Sequence, residues 1–180
     1  MYFIRGGFVK QLGHYETLDK MPKLSVDLIL YICDISSENL GLILRSADIF
    51  GVHTVYYHQG NNTVNNKQIA KVSRNSSIPV HFVNDAEALL SIKENGYSVV
   101  ALEITDVSVP LKEMPLKEKN CLVIGNEKTG VPDSILDIAD CSCHIEMIGN
   151  RISSLNVSIA ASIALYDIAQ HYLFEKRNSG

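Results

Sequence analysis

Three short stretches of this 180-residue sequence hold side chains that could do polar or ionic chemistry, and each follows an apolar run. In the first, Asn39-Leu40-Gly41-Leu42-Ile43-Leu44-Arg45, a guanidinium stands among mostly apolar neighbours. Its fixed fork of donors suits an anion or a ribose. A stem packed on the core with its head in solvent would need no ligand, and spacing alone favours that reading. In the second, Gly125-Asn126-Glu127-Lys128-Thr129-Gly130, two glycines bracket a polar tip, which lets backbone approach a ligand closely. Glu127 is either a ligand-positioning carboxylate or a solvated one. Gly130 is followed by Val131-Pro132, not by Lys and Ser/Thr, and no G-x-G-x-x-G occurs, so ATPase and Rossmann dinucleotide chemistry are set aside. The third, Ile145 to Leu165, reads IEMIGNRISSLNVSIAASIAL. A short apolar run turns at Gly149-Asn150-Arg151, and Ser153 and Ser154 offer oxygens to the free N–H groups of a helix. Asn156 either helps cap that helix or faces a ligand. The helix is apolar and small enough all round to be buried on more than one side, and the polar turn before it is a natural ligand seat.

The elements that position these stretches follow from periodicity. Residues 26–33 form a near-continuous β-rich run, a strand buried on both faces. A polar cluster at 34–39 leads into a helix over 40–50, closed by Gly51 as a C′ residue, and a second strand over 52–58. Strand, helix and strand of these lengths make a βαβ unit and hence a parallel sheet. After a loop at 59–66, Lys67, Lys71 and Arg74 recur at i, i+4 and i+7, which places them on one helical face, either solvated or in contact with phosphate. Strands are expected at 80–83, 97–104, 121–124 and 144–147, and helices at 85–95, 131–139 and 156–174; residues 106–120, with Pro110 and Pro115, read as loop. The three polar stretches fall at the C-terminal ends of strands, the edge where open α/β sheets bind ligands.

Composition narrows the class. At 46% hydrophobic and 20% charged residues, the chain reads as one globular domain, residues 26–180, behind an N-terminal arm, residues 1–25. No apolar run approaches the ~20 residues of a membrane span, and the N-terminus lacks a secretory h-region, so a cytoplasmic protein is expected. Four free cysteines fit that compartment. Cys141 and Cys143 are read as pointing to opposite faces of a strand, and no second ligand pair exists, so no metal is expected. The net charge of −4 divides into +2 over residues 1–75 and −6 over 76–180, so a polyanion should meet the first part.

Taken together and in this order, the three stretches resemble the three motifs of the SpoU (TrmH-like) branch of the SPOUT RNA methyltransferases. Asn39-x-Gly41-x-Ile43-x-Arg45 is similar to the first motif, Ile124-Gly125-Asn126-Glu127-x-x-Gly130 to the second, and Ile145-x-Met147 with Ser154-Leu155-Asn156-Val157-Ser158 to the third. The resemblance spans about residues 26–174. Two departures stand out: Glu146 replaces the usual proline between Ile145 and Met147, and one extra residue separates Met147 from Ser154.

The resemblance implies an α/β fold, a mostly parallel sheet with helices on both faces and a deep C-terminal trefoil knot. It also implies S-adenosylmethionine as methyl donor, a ribose 2′-hydroxyl of tRNA or rRNA as acceptor, no metal, and a homodimer with sites completed across the interface. Carried over by position, Leu102, Gly125, Ile145, Ser154 and Leu155 would contact the cofactor. Arg45 would handle the acceptor hydroxyl, with Asn39, Glu127, Ser154 and Asn156 positioning the reactants. Lys67, Lys71 and Arg74, with the N-terminal arm, would contact RNA. The last helix, through Ala160, Ala161 and Ala164, would approach the partner subunit. The competing expectation is a catalytically inactive RNA-binding dimer of the same fold.

Overall fold

The computed structural model describes residues 26–149, 151 and 154–178. The N-terminal arm with Arg5, Lys10, Lys20 and Lys23, and the turn residues Asn150 and Ser153, lie outside the described residues.

Strand β1 (Asp27–Cys33) occupies the middle of the sheet because its side chains are apolar on both sides. Leu28, Leu30 and Ile32 point to one face; Ile29, Tyr31 and Cys33 point to the other. Helix α1 (Ser37–Ile49) returns the chain to β2 (Thr54–His58), which lies parallel to β1 from Ile29↔Thr54 to Cys33↔His58. Ser36 caps α1 by accepting the Asn39 N–H at 3.3 Å, and Gly51 follows it with φ +81°. Helix α2 (Asn66–Ser73), strand β3 (Val80–Val83), helix α3 (Glu87–Glu94) and strand β4 (Ser98–Leu102) continue the alternation. A two-residue strand, β5 (Val109–Pro110), precedes a 3-10 turn at Leu111–Glu113. Then come β6 (Lys119–Ile124), α4 (Asp133–Leu136), β7 (Cys141–His144) and α5 (Val157–Asn178).

Among the described residues the strands form one seven-stranded sheet, ordered β3-β2-β1-β6-β4-β7-β5, with every pairing parallel. Helices cover both faces, as expected. One apolar cluster joins Leu30, Val55, Val100 and Leu122 to α1 and α5; the other joins Tyr31, Val99 and Val123 to α3 and α4. Gly41 marks the crossing of α1 over α2, where a Cβ would sit 2.8 Å from Val72 Cβ and 3.2 Å from the Ile69 carbonyl oxygen.

Four expectations are corrected. Strand β5 was read as loop, because two residues show no alternation; its Pro110 sits on the sheet edge, where a missing N–H is tolerated. The last strand ends at His144 instead of running over 144–147, because β4 and β5 provide pairing partners no further than Leu102↔Cys143 and Pro110↔His144. Cys141 and Cys143 share one face, as residues two apart on a strand must, and both pack on the α1/α5 side. Ala161 and Ala164 are fully buried against the chain's own sheet, and Ala160 lines a cleft, so this stripe is taken up largely within the chain. The outward face of α5 carries Ile159, Ile163 and Tyr166 instead.

Candidate cofactor cleft and its polar margin

Strand order does most of the work of building the site. With β6, β4 and β7 side by side, their C-terminal ends bring Leu102, Ile124-Gly125 and Cys143-His144-Ile145 together at one edge. The start of α5 supplies the facing wall through Ser154, Leu155, Val157 and Ala160. Between them lies a cleft of about 250 Å³. All five positions expected to touch a cofactor, Leu102, Gly125, Ile145, Ser154 and Leu155, line it, as does Glu127. The lining mixes apolar side chains with exposed main chain. That suits a flat heterocycle read by backbone groups.

Gly125 is a glycine for a steric reason. A Cβ there would stand 2.5 Å from the Gly130 carbonyl carbon and 2.6 Å from the Val131 nitrogen, so both ends of the 125–130 loop run in contact. Asn126 closes that loop. Its N–H donates to the Gly130 oxygen at 2.9 Å, the Gly130 N–H donates back at 3.0 Å, and its Oδ1 accepts from Lys128 N at 2.8 Å. Glu103 pins the far end by accepting the Val131 N–H at 2.8 Å.

Polar residues of all three stretches meet beside the cleft. Glu127 Oε1 accepts a hydrogen bond from Asn39 Nδ2 and one from the Ser36 N–H at 3.2 Å. The Asn39 Oδ1 accepts from Asn156 Nδ2 at 3.2 Å. In a capping box a Glu or Gln three residues into the helix would accept the N–H of the cap residue. Here the third residue is Asn39, and Glu127 takes that role from a loop elsewhere in the chain. The position at a helix N-terminus favours its negative charge. Burial pushes the Glu127 carboxyl upward, but the hydrogen bonds from Asn39, its own loop backbone and Ser36 outweigh this and hold it below the usual carboxylate range. Glu127 is therefore an anion at neutral pH. It holds the Asn39 amide in place.

A depressed carboxylate stabilises the fold above its unfolded value and loses that contribution as pH falls through its folded value. Wild type is thus expected to lose more thermal stability than Glu127→Gln as pH drops below about 4. Parallel slopes in melting scans from pH 6 to 3 would refute the assignment.

Asn156 caps α5, in place of Ser154; the Ser153 part of that expectation lies outside the described residues. The Asn156 Oδ1 accepts from Ser158 N at 2.9 Å and Ser158 Oγ at 2.6 Å, which leaves Ser154 free to line the cleft. The capping reading of Asn156 holds, and its amide also donates to Asn39. Arg45 stands apart. It is exposed on the outer face of α1 beside Leu42 and Ile49, does not line the cleft, and has no side-chain partner among the described residues. Lys67 and Lys71 are exposed on α2, but Arg74 is its C-cap with φ +55°, so the single helical face read from spacing ends at Lys71. Glu103 was not singled out from sequence, because a lone Glu after a strand carries no periodic or motif signal, and Asn126 entered only as a motif position with no role of its own.

The sequence profile of the SpoU rRNA Methylase family matches residues 27–166. The chain belongs to the SpoU family. The tRNA (guanosine(18)-2′-O)-methyltransferase of Aquifex aeolicus (strain VF5) is 35% identical over 164 residues, covering 89% of this chain and 75% of that protein. The protein of the same description from Escherichia coli (strain K12) is 30% identical over 144 residues, 79% of this chain and 61% of its own length. Among solved structures, the A. aeolicus TrmH/SpoU tRNA modifying enzyme aligns with TM-score 0.72 at 32% identity, covering 83% of this chain and 77% of that one. The matched range contains all three polar stretches, which contribute Asn39, Glu127 and Asn156 to the margin beside the cleft.

Proposed function

We infer that this SpoU-family chain transfers a methyl group from S-adenosylmethionine to a ribose 2′-hydroxyl of tRNA or rRNA. The observation that carries the reading is the convergence of Asn39, Glu127 and Asn156, one from each motif, on the rim of a cleft lined by Gly125, Leu102, Ile145 and Leu155. An inactive RNA-binding dimer would have no use for that shared margin.

The cleft suits an adenosine: apolar walls from Leu102, Ile145 and Leu155, and a backbone bared by Gly125. When bound there, S-adenosylmethionine supplies an electrophilic methyl on a sulfonium. The cleft residues would hold it so that its methyl could pass to the ribose oxygen, with S-adenosylhomocysteine left behind and the hydroxyl proton going to water or to a phosphate of the RNA. Asn39 and Asn156, fixed by Glu127, orient the ribose; holding reactants in line supplies several kcal/mol of the barrier. Arg45 offers only N–H donors and no acceptor, and its role is to stabilise the developing alkoxide.

Two further properties belong to this reading. The first is a trefoil knot: β4 and β5 flank β7, so the 103–108 segment joining them passes across the end of β7, beside the chain leaving at 145–149. The second is a homodimer across α1 and α5. Leu42, Ile49, Ile159, Ile163 and Tyr166 are all exposed on these two helices, which are joined by a Ser46–Ser162 hydrogen bond of 2.7 Å. That seam contains Arg45 and would carry it to the partner's cleft.

The test is transfer of labelled methyl from S-adenosylmethionine to total RNA, followed by mapping of 2′-O-methyl sites. A label resistant to base removal and lost on 2′-deoxy substitution is expected. RNA binding without any label would favour the inactive dimer.

A further inference from the structure

We propose that Phe82 is a stacking platform for an unpaired base of the RNA, a few nucleotides from the ribose that is methylated; this rests on the RNA methyltransferase reading. Phe82 lies on β3, the outermost strand, and is 45% exposed. Isolated exposed apolar residues are ordinary. This one differs in being ordered from behind and in where it stands.

Its ring packs on Tyr57, the residue opposite it in register, at 5.6 Å between centroids and 63° between planes. Tyr57 is itself fully buried and donates its hydroxyl to the Ile35 carbonyl at 2.8 Å. The phenyl group is therefore held by a fixed neighbour while much of its surface stays open. Through Tyr57 it belongs to the sheet face covered by α1, and it lies in the C-terminal half of β3, toward the edge where Glu127 and Asn39 meet. From β3 across β2 and β1 to β6 is three strand spacings, about 14 Å. A few nucleotides of single strand cover that span.

The ground between is a hydrogen-bonded loop, with the carboxylates Glu38 and Asp85 exposed at its margins. Gln59 N donates to the Val83 oxygen at 2.8 Å, tying the 59–65 loop to β3. Asp34 accepts the Asn61 N–H at 2.8 Å and the Asn62 N–H at 3.0 Å, and Gly60 leaves no room for a Cβ against it. Its carbonyl takes Asn126 Nδ2 from the second motif, so this loop and the catalytic margin are one connected piece. Asn61 and Thr63 remain exposed, and the loop runs into α2 with Lys67 and Lys71 free of carboxylate partners among the described residues. An aromatic face, neutral amides and a cationic helix in sequence suit an RNA strand with splayed bases.

The chain contains no tryptophan, so Phe82→Trp introduces a single tryptophan at the proposed contact, excitable apart from the 8 tyrosines. Adding a substrate RNA should quench its emission, and salt should restore it. Phe82→Leu keeps apolar volume on Tyr57 but has no π face; it should raise KM for RNA about tenfold, with a smaller change in kcat and none in S-adenosylmethionine affinity. Phe82→Tyr should retain wild-type KM. A Phe82→Trp protein that binds RNA without quenching, or a Phe82→Leu protein with unchanged KM, overturns the proposal and leaves the functional reading intact. A wild-type protein that binds no RNA sinks both.

Discussion

Arg45→Ala is expected to lower methyl transfer by about 10²–10³-fold, which is what removing one donor to a developing oxyanion costs. S-adenosylmethionine affinity should not change, because Arg45 lies outside the cleft. Arg45→Lys should keep part of the rate, since the charge survives while the fork is lost. Equal rates in the two variants would mean that charge is not what matters. Arg45 stands nearly two helical turns from Asn39, about 9 Å along the axis of α1, on the outward face with Leu42 and Ile49. This position yields a sharper result. If Arg45 serves the partner's cleft, mixed dimers of Arg45→Ala with a Gly125 variant should recover activity that neither parent has, because one intact cleft then faces one intact arginine. If it serves its own cleft, no mixture recovers any. A chain that sediments as a monomer while fully active would remove the partner from the account altogether.

Gly125→Ala is expected to abolish cofactor binding, with affinity down more than about 100-fold by titration calorimetry. The added methyl meets backbone on both sides, Gly130 C at 2.5 Å and Val131 N at 2.6 Å, so no rotamer change relieves it. The loop must open instead, which draws the Val131 N–H away from Glu103 and disturbs the wall that Gly130, at φ +70°, completes. Overpacking of this kind costs about 1–3 kcal/mol, so the protein should still fold and circular dichroism should be near that of wild type. Wild-type affinity in a folded Gly125→Ala protein would show that this wall does not touch the cofactor.

Much of the architecture was legible from local signals. The double-sided apolar run of β1 announced a central parallel strand, and Gly51 announced the end of α1, because burial pattern and positive φ are properties of a few consecutive residues. What escaped was whatever depends on a distant partner. The end of β7 at His144 is decided by where β4 and β5 stop, and the Asn156 amide, on a residue already read as a possible cap, is held by Asn39, 117 residues away. The alanines of α5 look alike in sequence, and only packing shows that Ala161 and Ala164 face inward while Ile159, Ile163 and Tyr166 do not.

The same division runs through the site. By itself the sequence determined which residue types were present and in what order, and the motif likeness carried the chemistry from them. It could not say that Glu127 completes the first turn of α1, because that hydrogen bond joins segments 91 residues apart. Spacing favoured a solvent-facing Arg45, as found, but could not say that its motif companion Asn39 lies at the rim. Those facts follow from strand order and helix phase, which set contacts between residues remote in the chain and therefore belong to the tertiary structure alone.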